Sequence, residues 1–173
     1  MYFFLSIIKS VYYKLKFGKK LQIKFNNRYR KNLDIRIKNG KILIKDRFRA
    51  DNNCSISSTE NGNVVIGKNC FVNRNFICIS KKYIEIGNNC IFGPNVCIYD
   101  HNHNFSKDGY FSGFKKGDVV IGDHVWVGAN VVILPNTHIG ANSIISAGTV
   151  VKGNIPNNSI VKNNRELVIK DLY

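Results

Sequence analysis

From Ile66 onward the apolar positions recur every six residues, a spacing that belongs neither to an α-helix nor to a simple alternating strand. The hexads read IGKNCF and VNRNFI from residue 66, then slip through CISKKYIE and resume as IGNNCI, FGPNVC and IYDHNH from residue 86. From residue 121 they read IGDHVW, VGANVV, ILPNTH, IGANSI, ISAGTV and VKGNIP. First positions (Ile66, Val72, Ile86, Phe92, Ile98, Ile121, Val127, Ile133, Ile139, Ile145, Val151) are all apolar, and fifth positions such as Cys70, Cys90, Val125, Thr137 and Ser143 are small. Gly at the second and Asn at the fourth position, as in Gly67/Asn69 and Gly128/Asn130, suit corners with unusual backbone angles.

Such a period predicts a parallel β-helix. Short strands end at corners, one large residue per hexad fills the interior, and a small one fits beside it. Three hexads close an 18-residue triangular coil, the separation of Ile121 and Ile139. The pattern is that of the left-handed β-helix, an exception to right-handed crossovers. It predicts an all-β solenoid domain over residues 33–162, regular from about residue 60, with a tail at 163–173. Residues 1–32 read as a basic extension, an amphipathic helix plus strand. In the helix Phe4, Leu5, Ile8, Val11, Tyr12 and Leu15 form the apolar stripe, opposite Ser6, Lys9, Ser10 and Lys14. The alternations Leu21/Ile23/Phe25 and Leu33/Ile35/Ile37 read as strands that start the solenoid or cap its open end.

Charge sharpens this division. Residues 1–49 hold fifteen Lys/Arg against two Asp/Glu, or +13, and residues 50–173 hold eleven against nine, or +2. The net charge of +15 is therefore a property of the first segment. No nucleic-acid-binding motif accompanies it, and no nucleic-acid partner is expected. Five cysteines, odd in number and without a CxxC pair, predict buried, reduced thiols in a cytosolic protein. The apolar run Tyr2–Ile8 is too short for a secretory signal, and no later run approaches the ~20 residues of a membrane-spanning helix.

The repeat breaks at IYDHNHNFSKDGYFSG. His101 takes a fourth position, where Asn usually stands, and residues 104–118 leave the hexads before they resume at Ile121. A loop grown from a rigid scaffold is where binding residues are carried, and this one mixes Phe105, Tyr110, Phe111 and Phe114 with Lys107, Asp108, Lys115 and Lys116, a mixture suited to a sugar.

The hexads, the D-H-N-H corner with its loop, and the run IGDHVWVGANVVILPNTHIGANSIISAGTVVKGNIPNNSIV together resemble the galactoside, maltose and xenobiotic acetyltransferases of the hexapeptide-repeat family, and the O-acetyltransferases of bacterial surface polysaccharides. The resemblance implies acetyl-CoA as donor, a homotrimer with active sites between subunits, and His101 as catalytic base. Because a thioester is already activated, the missing function is removal of the acceptor hydroxyl's proton, which an imidazole can accept near neutral pH. Asp100 or a backbone carbonyl would orient the ring. Asp100, His103, Trp126 and Asn73 (with Asn75 as its alternative) are implied at the acceptor. Trp126, Ala129, Ala147, Gly148, Lys152 and Arg165 are implied along the donor groove.

Two departures from the family pattern stand out: Lys152-Gly153 replaces a Thr-Lys pair, and KNNRE at residues 162–166 replaces the usual A-G-x-P-A. His124 and His138 read as surface or subunit-interface residues. The three-histidine spacing of β-helix carbonic anhydrases is missing, so no metal is expected.

The sequence thus predicts an O-acetyltransferase acting on a saccharide in surface-glycan synthesis, cytoplasmic and soluble or peripheral at the inner membrane face. N-acetylation of a nucleotide-linked amino sugar and a non-catalytic β-helix subunit are the alternatives. Two readings of the basic helix stay open: contact with an anionic membrane through residues 1–31, or a cap on the solenoid or on a neighbouring subunit.

Overall fold

The structure, a computed structural model, describes residues 2–107, 109 and 111–164. It is a left-handed parallel β-helix of about six turns entered through one helix, α1 (Tyr2–Phe17). Three faces stack in parallel register. The first carries Leu21–Ile23, Lys41–Ile44, Asn63–Ile66, Tyr83–Ile86 and Val119–Ile121. The second carries Arg28–Tyr29, Arg49–Ala50, Phe71–Val72, Ile91–Phe92, Trp126–Val127, Ile144–Ile145 and Ile160–Val161. The third carries Asp34–Ile37, Ser55–Ser58, Ile77–Ser80 and Cys97–Tyr99. Val132–Ile139 and Val150–Ile155 each run round the corner from the third face to the first.

The hexad logic holds at the level of side chains. All eleven first-position residues from Ile66 to Val151 are buried, and Cys70, Cys90, Val125, Val131, Thr137, Ser143 and Thr149 fill the space beside them. Four of the five cysteines are buried and the fifth, Cys97, is half-buried; all are free thiols. Burial pushes the Cys54 thiol up to about 11, so it packs as an apolar group.

Corners divide their labour differently from the sequence expectation. The asparagines adopt left-handed backbone angles, with φ of 58° at Asn69, 57° at Asn89 and 59° at Asn95. Their side chains bond rung to rung, Asn75 to Asn95 and Asn95 to Asn130, each at 2.9 Å. The second-position glycines are needed for closeness instead: a Cβ on Gly67 would lie 2.3 Å from the Gly87 carbonyl oxygen of the next coil. His124, with φ of 58°, replaces an asparagine in one ladder, its ring 3.4 Å from the Asn89 amide.

The strands of residues 21–29 start the solenoid, which opens at Leu21 rather than Leu33. As the end coil it has no predecessor, so backbone groups facing outward along the axis need other partners. Helix α1 supplies them with its polar edge. The Tyr29 N–H donates to Ser6 Oγ at 2.9 Å, Tyr13 Oη donates to the Leu33 carbonyl at 2.6 Å, and Lys9 Nζ donates to the Arg30 carbonyl at 3.0 Å. Ser6, Ser10 and Tyr13 are buried, whereas the apolar stripe Phe4, Leu5, Ile8, Val11, Tyr12 and Leu15 faces outward. The helix caps the solenoid, but by hydrogen bonding and not by burying its apolar face.

Among the described residues no helix is long and apolar enough to cross a membrane.

Candidate active site

The described residues of the excursion after Tyr99 form an antiparallel hairpin. His101–Phe105 pairs with Phe111–Lys116, with His101 opposite Lys116 and His103 opposite Phe114. It springs from the corner between the third and first faces. Glu60, two coils' length earlier in the chain, binds Lys116 and Lys81, the latter at 3.0 Å, and Lys81 Nζ sits 3.9 Å over the Phe114 ring. These contacts pin the returning strand to the solenoid.

His101 lies at the hairpin's base, its side chain 12% exposed. Nδ1 is 3.0 Å from Asp100 Oδ1, and the ring meets Phe114 edge-on at 5.3 Å between centroids. Asp100 is itself fully buried. Its carboxylate accepts from Ser80 Oγ at 2.6 Å and from the Lys81 and Lys82 backbone N–H groups, each at 2.8 Å. Burial alone would raise its pKa, but the bonds from His101, Ser80 and the two amides outweigh that and hold the carboxyl below its ordinary value. An ionised Asp100 only accepts, so His101 presents Nδ1–H to it and leaves Nε2 with a free lone pair.

Asp100 thus has no exposed surface, and its oxygens are bonded to Ser80, Lys81, Lys82 and His101, an arrangement that fits the ring-orienting reading. His103 is exposed beside it, its ring against Phe111 and Phe114 at 5.0 and 4.8 Å. Among the described residues no three His, Cys, Asp or Glu side chains converge as a metal site requires.

The remaining sequence-predicted residues separate into two groups. Lys152 lies in Val150–Ile155 on the same corner column as His101, further along the axis. Trp126, half-exposed, stands on the second face, and Ala129, Ala147 and Gly148 line the corner between the second and third faces. That corner is crowded: a Cβ on Gly128 would lie 2.6 Å from the Ala147 nitrogen, so small residues bring backbone to the surface. Asn73 is on the corresponding corner two coils earlier, its Oδ1 accepting from the Arg74 N–H at 2.8 Å. At ~3.3 Å per residue the two corners are roughly 15–20 Å apart across one coil. The second face, with Trp126, is the side of the triangle opposite His101. One chain therefore carries an edge with His101 and a separate small-residue edge. His138 is exposed on the first face. Arg165 lies outside the described residues.

Sequence reasoning missed Ser80, Lys81 and Lys82, whose donors fix Asp100, and Glu60, which anchors the hairpin. The slip of the hexads at CISKKYIE was the available signal: the corner there is enlarged to turn two amides inward.

The family description "Bacterial transferase hexapeptide (six repeats)" matches residues 118–153. The galactoside O-acetyltransferase of Escherichia coli (strain K12) is 30% identical over 152 residues, covering 83% of this chain and 71% of that protein. The maltose O-acetyltransferase of Clostridium difficile 630 superposes with a TM-score of 0.55 at 26% identity, over 99% of this chain and 88% of that one. An N-acyltransferase from Bacillus cereus, in complex with dTDP and coenzyme A, shares the fold with a TM-score of 0.69 at 24% identity, over 78% and 74% of the two chains. With its repeat, its hairpin and these likenesses, the chain belongs to the hexapeptide-repeat acetyltransferase family. It spans 57%, 71% and 48% of the lengths of three curated relatives it matches.

Proposed function

We propose that this protein transfers an acetyl group from acetyl-CoA to a hydroxyl of a saccharide, with His101 as general base. The observation that carries this reading is the His101–Asp100 pair at the hairpin's base in a chain of this family. Nε2 takes the hydroxyl proton as the oxygen attacks the thioester carbonyl, the carbon–sulfur bond breaks, and the same nitrogen returns the proton to the departing sulfur. An acetyl ester and the free thiol of CoA result. Charge arising on the carbonyl oxygen would be met by backbone N–H groups.

The reading uses two subunits. His101, His103 and Lys152 come from one chain; Trp126, Ala129, Ala147 and Gly148 come from the neighbour, whose small-residue corner would let the pantetheine arm lie against backbone amides. Lys152 and Arg165 supply charge for the nucleotide phosphates, and Asn73 completes the acceptor side. The separation of the two groups in one chain supports a homotrimer with its sites between subunits. Hairpin aromatics and exposed polar groups suit a glycan acceptor, as in bacterial capsule or lipopolysaccharide synthesis. The basic first segment supports peripheral contact with the inner membrane face.

The test is release of CoA with a panel of mono- and oligosaccharides, amino sugars included, for wild type and His101→Ala. Transfer that vanishes in His101→Ala supports the assignment. Wild-type rates in that variant overturn it, and transfer confined to amino groups replaces the O-acetyl reading with N-acetylation.

A further inference from the structure

An amphipathic helix that caps a solenoid ordinarily turns its apolar stripe inward. Here α1 does the reverse, because the end coil's unpaired backbone groups need the oxygens of Ser6 and Tyr13 and the ammonium of Lys9. Six large apolar side chains, Phe4, Leu5, Ile8, Val11, Tyr12 and Leu15, are left 41–81% exposed on one continuous face. Phe25, 47% exposed, lies 4.3 Å under Lys14 Nζ at the flank of the helix. An apolar patch of this kind marks a surface that meets something.

Charge identifies what it meets. Residues 1–33 contain nine Lys/Arg and no acid; the first carboxylate in the chain is Asp34. Two copies of this face packed together would oppose like charges, whereas an anionic lipid surface compensates them. The adjoining wall continues the pattern. Arg28 and Arg49 are neighbouring rungs on the second face, and with Arg30 and Phe71 they line a groove of about 370 Å³ in which the single acid, Asp51, pairs with Arg30 at 3.6 Å.

We propose that the outward face of α1 docks on an anionic bilayer, its apolar side chains at the acyl boundary and Arg28 and Arg49 at the height of the lipid phosphates. This deepens the peripheral contact proposed above by assigning it to particular residues. The solenoid then stands on its first coil, and the second-face ladder Arg28, Arg49, Phe71, Ile91, Trp126 climbs away from the lipid toward the level of the reaction.

The experiment is co-sedimentation of the full chain with vesicles of phosphatidylcholine alone or mixed with phosphatidylglycerol. Wild type is compared with the double variant Ile8→Asn/Leu15→Asn and with Arg28→Glu/Arg49→Glu. Thermal melts establish that each variant folds, as expected for exposed positions. Wild type partitions onto the anionic vesicles, and each double variant binds at least tenfold more weakly. Binding of Ile8→Asn/Leu15→Asn at the wild-type level overturns the proposal. So does a lowered oligomeric state of that variant without vesicle binding by wild type, which would make the face a contact between copies. The two readings fail separately: His101→Ala abolishes transfer and leaves vesicle binding intact, while Ile8→Asn/Leu15→Asn leaves transfer to a soluble acceptor unchanged.

Discussion

Asp100 and His101 are adjacent in sequence yet face one another, Oδ1 to Nδ1 at 3.0 Å, because the chain reverses from solenoid strand to hairpin between them. The carboxylate is fixed from behind by Ser80 and two backbone amides, so the imidazole inherits its orientation from an earlier coil. Asp100→Asn keeps the shape but offers an amide where an anion stood, removing the preference for the Nδ1–H tautomer. We expect kcat to fall by about two orders of magnitude or more with KM for acetyl-CoA little changed, measured by steady-state CoA release.

The same carboxylate makes stability depend on acidity. Its folded pKa lies below the unfolded value, so its contribution is complete above about pH 4 and is lost as the pH falls through the folded value. Melts of wild type and Asp100→Asn between pH 2 and 6 should diverge least at the acid end. Parallel curves throughout the range would remove the linkage.

Gly67→Ala tests why glycine stands at the second hexad position. The added methyl would meet the next coil's backbone at 2.3 Å, and neither coil can move without shifting its neighbours. A loss of about 2–3 kcal/mol in unfolding free energy is expected. Gly109→Ala in the hairpin turn, where φ is +79° but space is open, should cost about 1 kcal/mol. Chemical denaturation of both variants gives the comparison.

Asn95 bonds to the rung on each side from a left-handed backbone. Asn95→Ala loses both bonds and strains the backbone, whereas Asn95→Gly loses the bonds alone. We expect Asn95→Ala to be the less stable of the two by about 1 kcal/mol.

Glu60→Gln weakens the attachment of Lys81 and Lys116, so the hairpin loosens while His101 keeps Asp100. The acceptor's KM should rise by less than about fivefold with kcat preserved. A fall in kcat alone would place Glu60's effect on the base instead.

The hexads from Ile66 were legible because every interior position obeys one rule. Before Ile66 the coils lengthen: Leu21 pairs with Ile42 and Ile42 with Val64, intervals of 21 and 22 residues, so the regular count fails although strands and corners persist. Corner residues there include Arg47 at φ of 58°, which no glycine or asparagine pattern would flag. The helix was legible as a helix, and its stripe as apolar. Which side faced the protein was not, since the demand of the end coil's amides outweighed burial of the stripe. His101 stood out as a histidine in an asparagine's place. Asp100's role was hidden because its partners, Ser80, Lys81 and Lys82, lie one coil away and two of them act through backbone.

Parallel stacking gives the solenoid a fixed rise of ~4.8 Å per coil. Two coils, those beginning at Lys41 and Asn63, separate the end coil under α1 from the one beginning at Tyr83, which carries His101. Their number is a ruler. Under the proposed docking, inserting one more coil before Asn63 would move His101 away from the membrane by a single rise, with Ser80, Asp100 and His101 kept together, and would change how far from its anchor a tethered glycan could be modified.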